Sequence, residues 1–419
     1  MNVDPRPHPG LHPREFVAFV ATIMAVNALG VDLMLPALPT IGHELGIPND
    51  NARQWIVTVY LLGFGLGQLV YGPLADRYGR RPILLFTLAG FVGASVFAAA
   101  STTFVAMLGA RVLQGTMSAS TRVLAVAIVR DSYSGRRMAR VMSVAQMIFF
   151  VVPILAPSAG QLLLAFGPWR MIFYALAVFA GVVFAWSALR LPETLPRERR
   201  TPISLTSLSS AYRLTLTDRN SVGYAVATSL TFGAIIAFVS SAQQVFVEVF
   251  GAGERFTLLF AACALSMGCA SFINSRLVER LGTRLISQTG LLALIALSLV
   301  HILVSRSGAE TLWTYMVFQA LSMTCIGLCG SNFGAMAMEP VGHIAGTASS
   351  IQGFISTVGA VAVGSAIGQA FDGTTFPLAV GYLGIGLAAL AVVYVVEEGH
   401  LFRPRMAPLD AVTLGRQSR

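Results

Sequence analysis

Twelve apolar runs, each long enough to cross a bilayer, fill most of this 419-residue chain, and short Arg-rich connections separate them. A crossing takes about twenty mostly apolar residues. No water reaches the hydrocarbon interior, so each run must satisfy its own backbone groups and is expected to be an α-helix. The runs read 15–38, 52–74, 82–101, 103–129, 138–165, 169–190, 220–247, 255–276, 284–304, 311–338, 344–371 and 376–396. Only 11% of the residues are charged, against roughly a quarter in soluble domains. The expectation is an all-α membrane protein whose principal partner is the lipid bilayer.

All 28 basic residues are Arg, and their placement sets the orientation. The tails and even-numbered connections hold 22 of them, whereas the opposite connections hold Arg53, Arg170, Arg255 and Arg306. Such a bias places both termini in the cytoplasm. The Pro- and His-rich N-terminus leads into a retained helix rather than a cleaved signal. The Arg residues form no basic face interleaved with aromatics, so nucleic-acid binding is not expected. Cys263, Cys269, Cys325 and Cys329 all lie in apolar runs and read as small hydrophobes, with no disulfide framework or metal site. No phosphate-binding loop, HExxH or Ser/His/Asp set occurs at a usable depth. Enzymatic activity and direct coupling to ATP are therefore not expected.

The polar interval 191–219 divides the spans six and six. This gives an N-terminal bundle over 1–190, a cytoplasmic linker over 191–219, a C-terminal bundle over 220–396 and a cytoplasmic tail over 397–419. Repeated halves are frequent in transporters. Residues 76–81 read DRYGRR and residues 279–284 read ERLGTR, both after the second span of their half. The shared pattern in equivalent connections supports duplication.

Charges inside a span need a partner, a wet cavity or a function. Asp32 is the only carboxylate well inside a span, four residues before Pro36, where the first helix is expected to distort. It either satisfies backbone groups near that kink or serves as a proton or cation site; the second reading is favoured. Burial works against a charged carboxyl and a nearby Arg works for it, and a switchable proton site requires such opposed terms. In the fourth span, Arg111, Gln114, Ser118 and Arg122 form one stripe at helical spacing. Two Arg on a lipid-facing stripe would each cost roughly 2.5–3.5 kcal/mol on insertion scales, so the stripe is expected to face the interior. Counted from the outer face, Asp32 and Arg111 are roughly 9 and 12 Å deep, close enough to meet across a cavity. The alternative reading makes Arg111 a structural tie between helices, lining the same space.

Asp76, Arg80, Arg81, Arg130 and Asp131 read either as solvated loop charges or as a latch of ion pairs holding one conformation. The fifth span carries Pro153, Pro157 and Gly160, predicting a bend and close approach of a neighbouring helix. Other in-span polar or aromatic residues serve packing, lipid contact or substrate contact. Asn27, Tyr60, Gln114, Ser118, Arg122, Phe149, Pro153, Phe232 and Phe238 are the candidates for a substrate cavity.

Taken together, these residues resemble the major facilitator superfamily over nearly the whole chain. Gly72-Pro73-Leu74-Ala75-Asp76-Arg77-Tyr78-Gly79-Arg80-Arg81-Pro82 resembles that family's signature between helices 2 and 3, and Arg111-Val112-Leu113-Gln114-Gly115 resembles its helix 4 motif. Residues 153–160 are similar to the helix 5 motif of its antiporters, with Ala156 and Gln161 where glycines are usual. The segments 32–39, 127–131 and 345–349 are similar to the drug:proton antiporter branch that includes bicyclomycin- and chloramphenicol-resistance exporters. Met24 stands where some relatives have a second acid.

The resemblance implies two pseudo-symmetric six-helix bundles rocking about a cavity and exporting small amphipathic compounds, such as phenicol antibiotics, in exchange for protons. It gives Asp32 the protonation role and Arg111 the coupling role. Gly72, Asp76, Arg77, Gly79, Arg80, Arg81, Arg130 and Asp131 would form the cytoplasmic latch. The proton is the only coupling ion expected, with no other cofactor; a monomer is the expected working unit, and a bacterial inner membrane the location the resemblance implies. The alternative is an uncoupled facilitator or a metabolite or sugar exporter on the same scaffold, with Asp32 structural.

Overall fold

The computed structural model describes residues 11–47, 49–133, 135–200, 212–341 and 345–402; the side chains of 135–137, 139, 140, 143–150 and 345–347 lie outside the description. Twelve long helices follow one another: α1 (Pro13–Asp32), α2 (Trp55–Tyr78), α3 (Arg80–Ala99), α4 (Phe104–Ser132), α5 (Gly135–Phe166), α6 (Arg170–Arg190), α7 (Arg219–Gln243), α8 (Phe256–Leu281), α9 (Thr283–Arg306), α10 (Leu312–Met338), α11 (Ala345–Gln369) and α12 (Phe376–Val396). Each expected span corresponds to one of them. Among the described residues, eleven helical segments are long and apolar enough to cross a membrane; α5 adds the shorter apolar stretch Val151–Phe166. No strand occurs among the described residues.

Local sequence fixes where these helices stop. α1 ends at Asp32, and the chain continues through a 3₁₀ turn at Leu35–Ala37 that contains Pro36. Proline lacks the N–H that would continue the ladder. A short helix, Leu38–Glu44, completes the segment. Thr103 and Thr311 cap α4 and α10 in the same way, each hydroxyl accepting from a backbone N–H three residues on at 3.2 Å.

The helices form two bundles, α1–α6 and α7–α12. In the first, α2 packs on α4, α3 on α6 and α4, and α1 on α5 and α4; adding six to each number gives the packing of the second. The internal corners repeat as well. Gly79 joins α2 to α3 at φ 105°, ψ 159°, and Gly282 joins α8 to α9 at φ 78°, ψ 158°. That left-handed φ favours Gly, so the two Gly of the repeated sequence pattern are the residues its corner requires.

With twelve spans, the beginning of α1 and the end of α12 lie on one face, here the proximal face; the opposite one is distal. The bundles meet where α2 packs on α11 and α5 on α8, and neither α1 with α7 nor α4 with α10 shows comparable packing. These four helices, α1, α4, α7 and α10, therefore frame the space between the bundles. Residues 201–211 of the expected linker and 403–419 of the expected tail lie outside the described residues.

Candidate functional site

The stripe on α4 faces inward, where it organises a buried polar network. Arg111, Gln114 and Ser118 are each fully buried. The Arg111 guanidinium donates to the Gly30 carbonyl at 2.9 Å, the Ile56 carbonyl at 3.1 Å and Gln114 Oε1 at 2.5 Å. It also lies over the Tyr60 ring, 4.3 Å from the centroid. Gln114 donates onward to Ser95 on α3 at 2.7 Å. The Tyr60 hydroxyl donates to Ser118 Oγ at 2.9 Å, and both approach Asn27 Oδ1, at 3.2 and 3.3 Å. One Arg thus ties α1, α2 and α4 together, using the planar fork that makes Arg suited to such sites.

Asp32 is buried at the end of α1. Arg111 reaches the carbonyl two residues before it but forms no ion pair with the Asp32 carboxyl. Among the described residues, no hydrogen bond or ion pair to that carboxyl is present. The expected meeting of the two side chains is therefore replaced by a contact from Arg111 to the α1 backbone. Gly160 of α5 comes up against the same place: a Cβ there would lie 1.9 Å from the Leu33 carbonyl oxygen. The helix carrying Pro153 and Pro157 runs unbroken past this point, with Pro153 half-buried and Pro157 buried.

The remaining cavity candidates separate. Asn27, Tyr60, Gln114 and Ser118 belong to the network just described. Arg122 is exposed and has no hydrogen bond or ion pair among the described residues. Phe232 is half-buried against the core. Phe238 lies inside the second bundle: its ring stacks on Phe260 at 5.5 Å and meets Phe246 edge-on at 6.2 Å. An aromatic on a central helix packs equally well into its own bundle, and here it does. The Phe149 side chain lies outside the described residues.

On the proximal face, Arg80 gathers the expected latch residues. Its guanidinium lies 2.7 Å from Asp76 and 3.1 Å from Asp131, and its backbone N–H donates to Glu193 at 2.8 Å. Arg81 donates to the Ala188 carbonyl at 2.7 Å. Arg77 lies against the Tyr78 ring, Arg130 is exposed at the end of α4, and Gly72 faces Ser350 of α11. The second bundle has a counterpart: Arg284 lies 2.8 Å from Glu397 and 3.7 Å from Glu339, while Tyr224 donates to Glu397. Both sets tie the corner after the second helix of a bundle to the ends of its fourth and sixth.

Sequence reasoning missed a seam at the distal face. Arg53 is paired with Glu248. Gln54 donates to Gln244 Oε1 at 2.6 Å and to the Gly368 carbonyl at 3.0 Å. Gln244 donates to Asn51 Oδ1 at 2.8 Å, and Asn51 donates to the Phe371 carbonyl at 2.8 Å. Gln369 returns a bond to the Asn51 carbonyl at 2.8 Å. Nearer the middle, Ser365 donates to Thr58 at 3.1 Å and Gln68 to Thr357 at 3.0 Å. The available signal was the density of amides at the ends of three spans.

Residues 20–364 match the family model of the Major Facilitator Superfamily. The chain belongs to the major facilitator superfamily. Members of this superfamily are transporters, not enzymes. One relative is an uncharacterized MFS-type transporter, YdgK, of Bacillus subtilis, 32% identical over 353 residues, which are 82% of this chain and 86% of that protein. A bicyclomycin resistance protein homolog of Haemophilus influenzae is 28% identical over 368 residues, 87% and 91% of the two chains. The multidrug resistance protein MdtL of Escherichia fergusonii is 30% identical over 350 residues, 82% and 86%. The crystal structure of the human organic anion transporter MFSD10 (TETRAN) superposes with a TM-score of 0.60 at 20% identity, covering 91% of this chain and all of that one. That likeness supports the major facilitator fold.

Proposed function

We propose that this major facilitator is a proton-coupled exporter of small amphipathic compounds, antibiotics such as phenicols among them, working by alternating access in a bacterial inner membrane. Bicyclomycin- and multidrug-resistance relatives support export of drugs. The observation that carries the coupling is Asp32: a buried acid at the end of a spanning helix, without a partner among the described residues, beside the Arg111 network. An uncompensated carboxylate at such a depth is costly, so its charge must be resolved by a proton or by a ligand. Arg111 holds the α1 backbone next to it and fixes where the acid stands.

With the proximal face taken as cytoplasmic, following the Arg bias, the distal seam closes the outer side. In the proposed cycle Asp32 takes a proton from outside and the bundles turn. Substrate arriving from the cytoplasm then favours proton release inward. One charge moved through 100 mV supplies about 2.3 kcal/mol. At about 1.4 kcal/mol per tenfold, that sustains a gradient of some tens-fold for a neutral solute. The protein works as a monomer, with the proton as its coupling ion.

The test is chloramphenicol uptake into everted vesicles with and without a protonophore. Asp32→Asn is expected to abolish proton-driven uptake. If it transports as well as wild type at every pH, the proton-coupled reading is wrong and the uncoupled facilitator takes its place.

A further inference from the structure

Arg122 has no part in the network around Arg111. It lies eleven residues further along α4, three turns, and so on the same face. At Arg111 and Ser118 that face is closed by α1 and α2, and both side chains are fully buried. At Arg122 it opens. The side chain is exposed, on the face that Arg111 and Ser118 turn toward α1 and α2. An exposed position on that inward face belongs to the wall of the space between the bundles and not to a lipid-facing surface. The helix that carries it is one of the four framing the space between the bundles.

Among the described residues, no acid pairs with this charge. Of the 19 acidic residues, Asp32 alone lies well inside a span. Arg111 bonds the Gly30 carbonyl, which puts Asp32 at or beyond the level of Arg111 and roughly 16 Å along the helix axis from Arg122. Residues 134–150 of the neighbouring segment contain no acid at all. Among the described residues, nothing supplies its counter-charge. One turn further on, Val126 is 39% exposed and offers an apolar surface beside the guanidinium.

We infer that Arg122 is the anion-recognition point of the central cavity, so that the preferred substrates carry a carboxylate, sulfonate or phosphate group on an apolar body. The planar guanidinium fork matches two oxygens of such a group at once. This inference rests on the export reading for its meaning as substrate selection, but the recognition itself is an equilibrium property that needs no gradient.

The test uses the full-length protein in nanodiscs of zwitterionic lipid and two dyes with the same ring system. These are 1-anilinonaphthalene-8-sulfonate and N-phenyl-1-naphthylamine, which lacks the sulfonate. Arg122→Gln is expected to weaken sulfonate binding about tenfold, the loss of one charge-assisted contact, and to leave the neutral dye unchanged. Arg122→Lys keeps most of the sulfonate affinity, and monodisperse elution of both variants checks their folding. The inference is overturned if Arg122→Gln binds the sulfonate as wild type does or loses both dyes equally. It is overturned equally if wild type binds no more dye than empty nanodiscs. Chloramphenicol uptake in everted vesicles reads the export hypothesis separately, so sulfonate recognition without transport would sink that hypothesis alone.

Discussion

Arg53, at the distal entry to α2, is paired with Glu248 just beyond the end of α7, and this ion pair joins one bundle to the other. Arg53 is almost fully enclosed while Glu248 is partly open. Arg53→Gln and Glu248→Gln are each expected to favour opening of the distal face by about 1–2 kcal/mol, with the double variant costing less than their sum. Spin labels at the exposed positions His43 and Glu254 report it: the inter-label distance distribution should gain a longer component in each single variant.

Arg111→Lys keeps a positive charge but loses the fork that spans the Gly30 and Ile56 carbonyls and Gln114. A loss of about 1.5–3 kcal/mol is expected for contacts of this kind. It should appear as a lower unfolding temperature in detergent, measured by scanning fluorimetry. An unchanged melting curve would mean that one ammonium group can replace the network.

Gly160 lies against the Leu33 carbonyl, where there is no space for a Cβ. Gly160→Ala should overpack the α1–α5 contact at a cost of about 1–3 kcal/mol, and Gly160→Val should cost more. Thermal unfolding of the purified variants measures this, and chloramphenicol protection in an efflux-deficient host should fall in the same order.

Arg284 covers Glu397, whose side chain is nearly fully buried. Arg284→Ala leaves that acid facing the Tyr224 hydroxyl and should cost about 3–5 kcal/mol, the range for breaking a buried pair from one side. Arg284→Ala with Glu397→Gln should recover a large part. The comparison is a double-mutant cycle read by thermal unfolding.

How much of this was legible in the sequence depended on the cost of misplacing each residue. Arg111, Gln114 and Ser118 were readable as an inward stripe because lipid excludes them from any other face. Pro36 likewise announced the break after Asp32, and the paired Gly79 and Gly282 announced matching corners. Phe238 was not readable, since a ring is equally at home in a cavity wall and in a bundle core, and only the position of Phe260 decides. Asn51, Gln54 and Gln244 were passed over because polar residues at span ends look like solvated loop. Their role depends on which helix of the other bundle comes to meet them. Gly30 shows the same limit on a smaller scale: depth alone brought Arg111 to the right level, but not to the right acceptor.

The bonds that fasten the two halves around Asn51, Gln54, Gln244 and Gln369 are mostly between amides and carbonyls. Such groups neither titrate nor are screened by salt, unlike the single ion pair among them. Acidifying or salting the medium would leave most of this fastening as strong as before. Whatever frees the two halves must then pull on the helices from within, by altering what the interior holds, and this fastening acts as a fixed threshold for that pull to exceed.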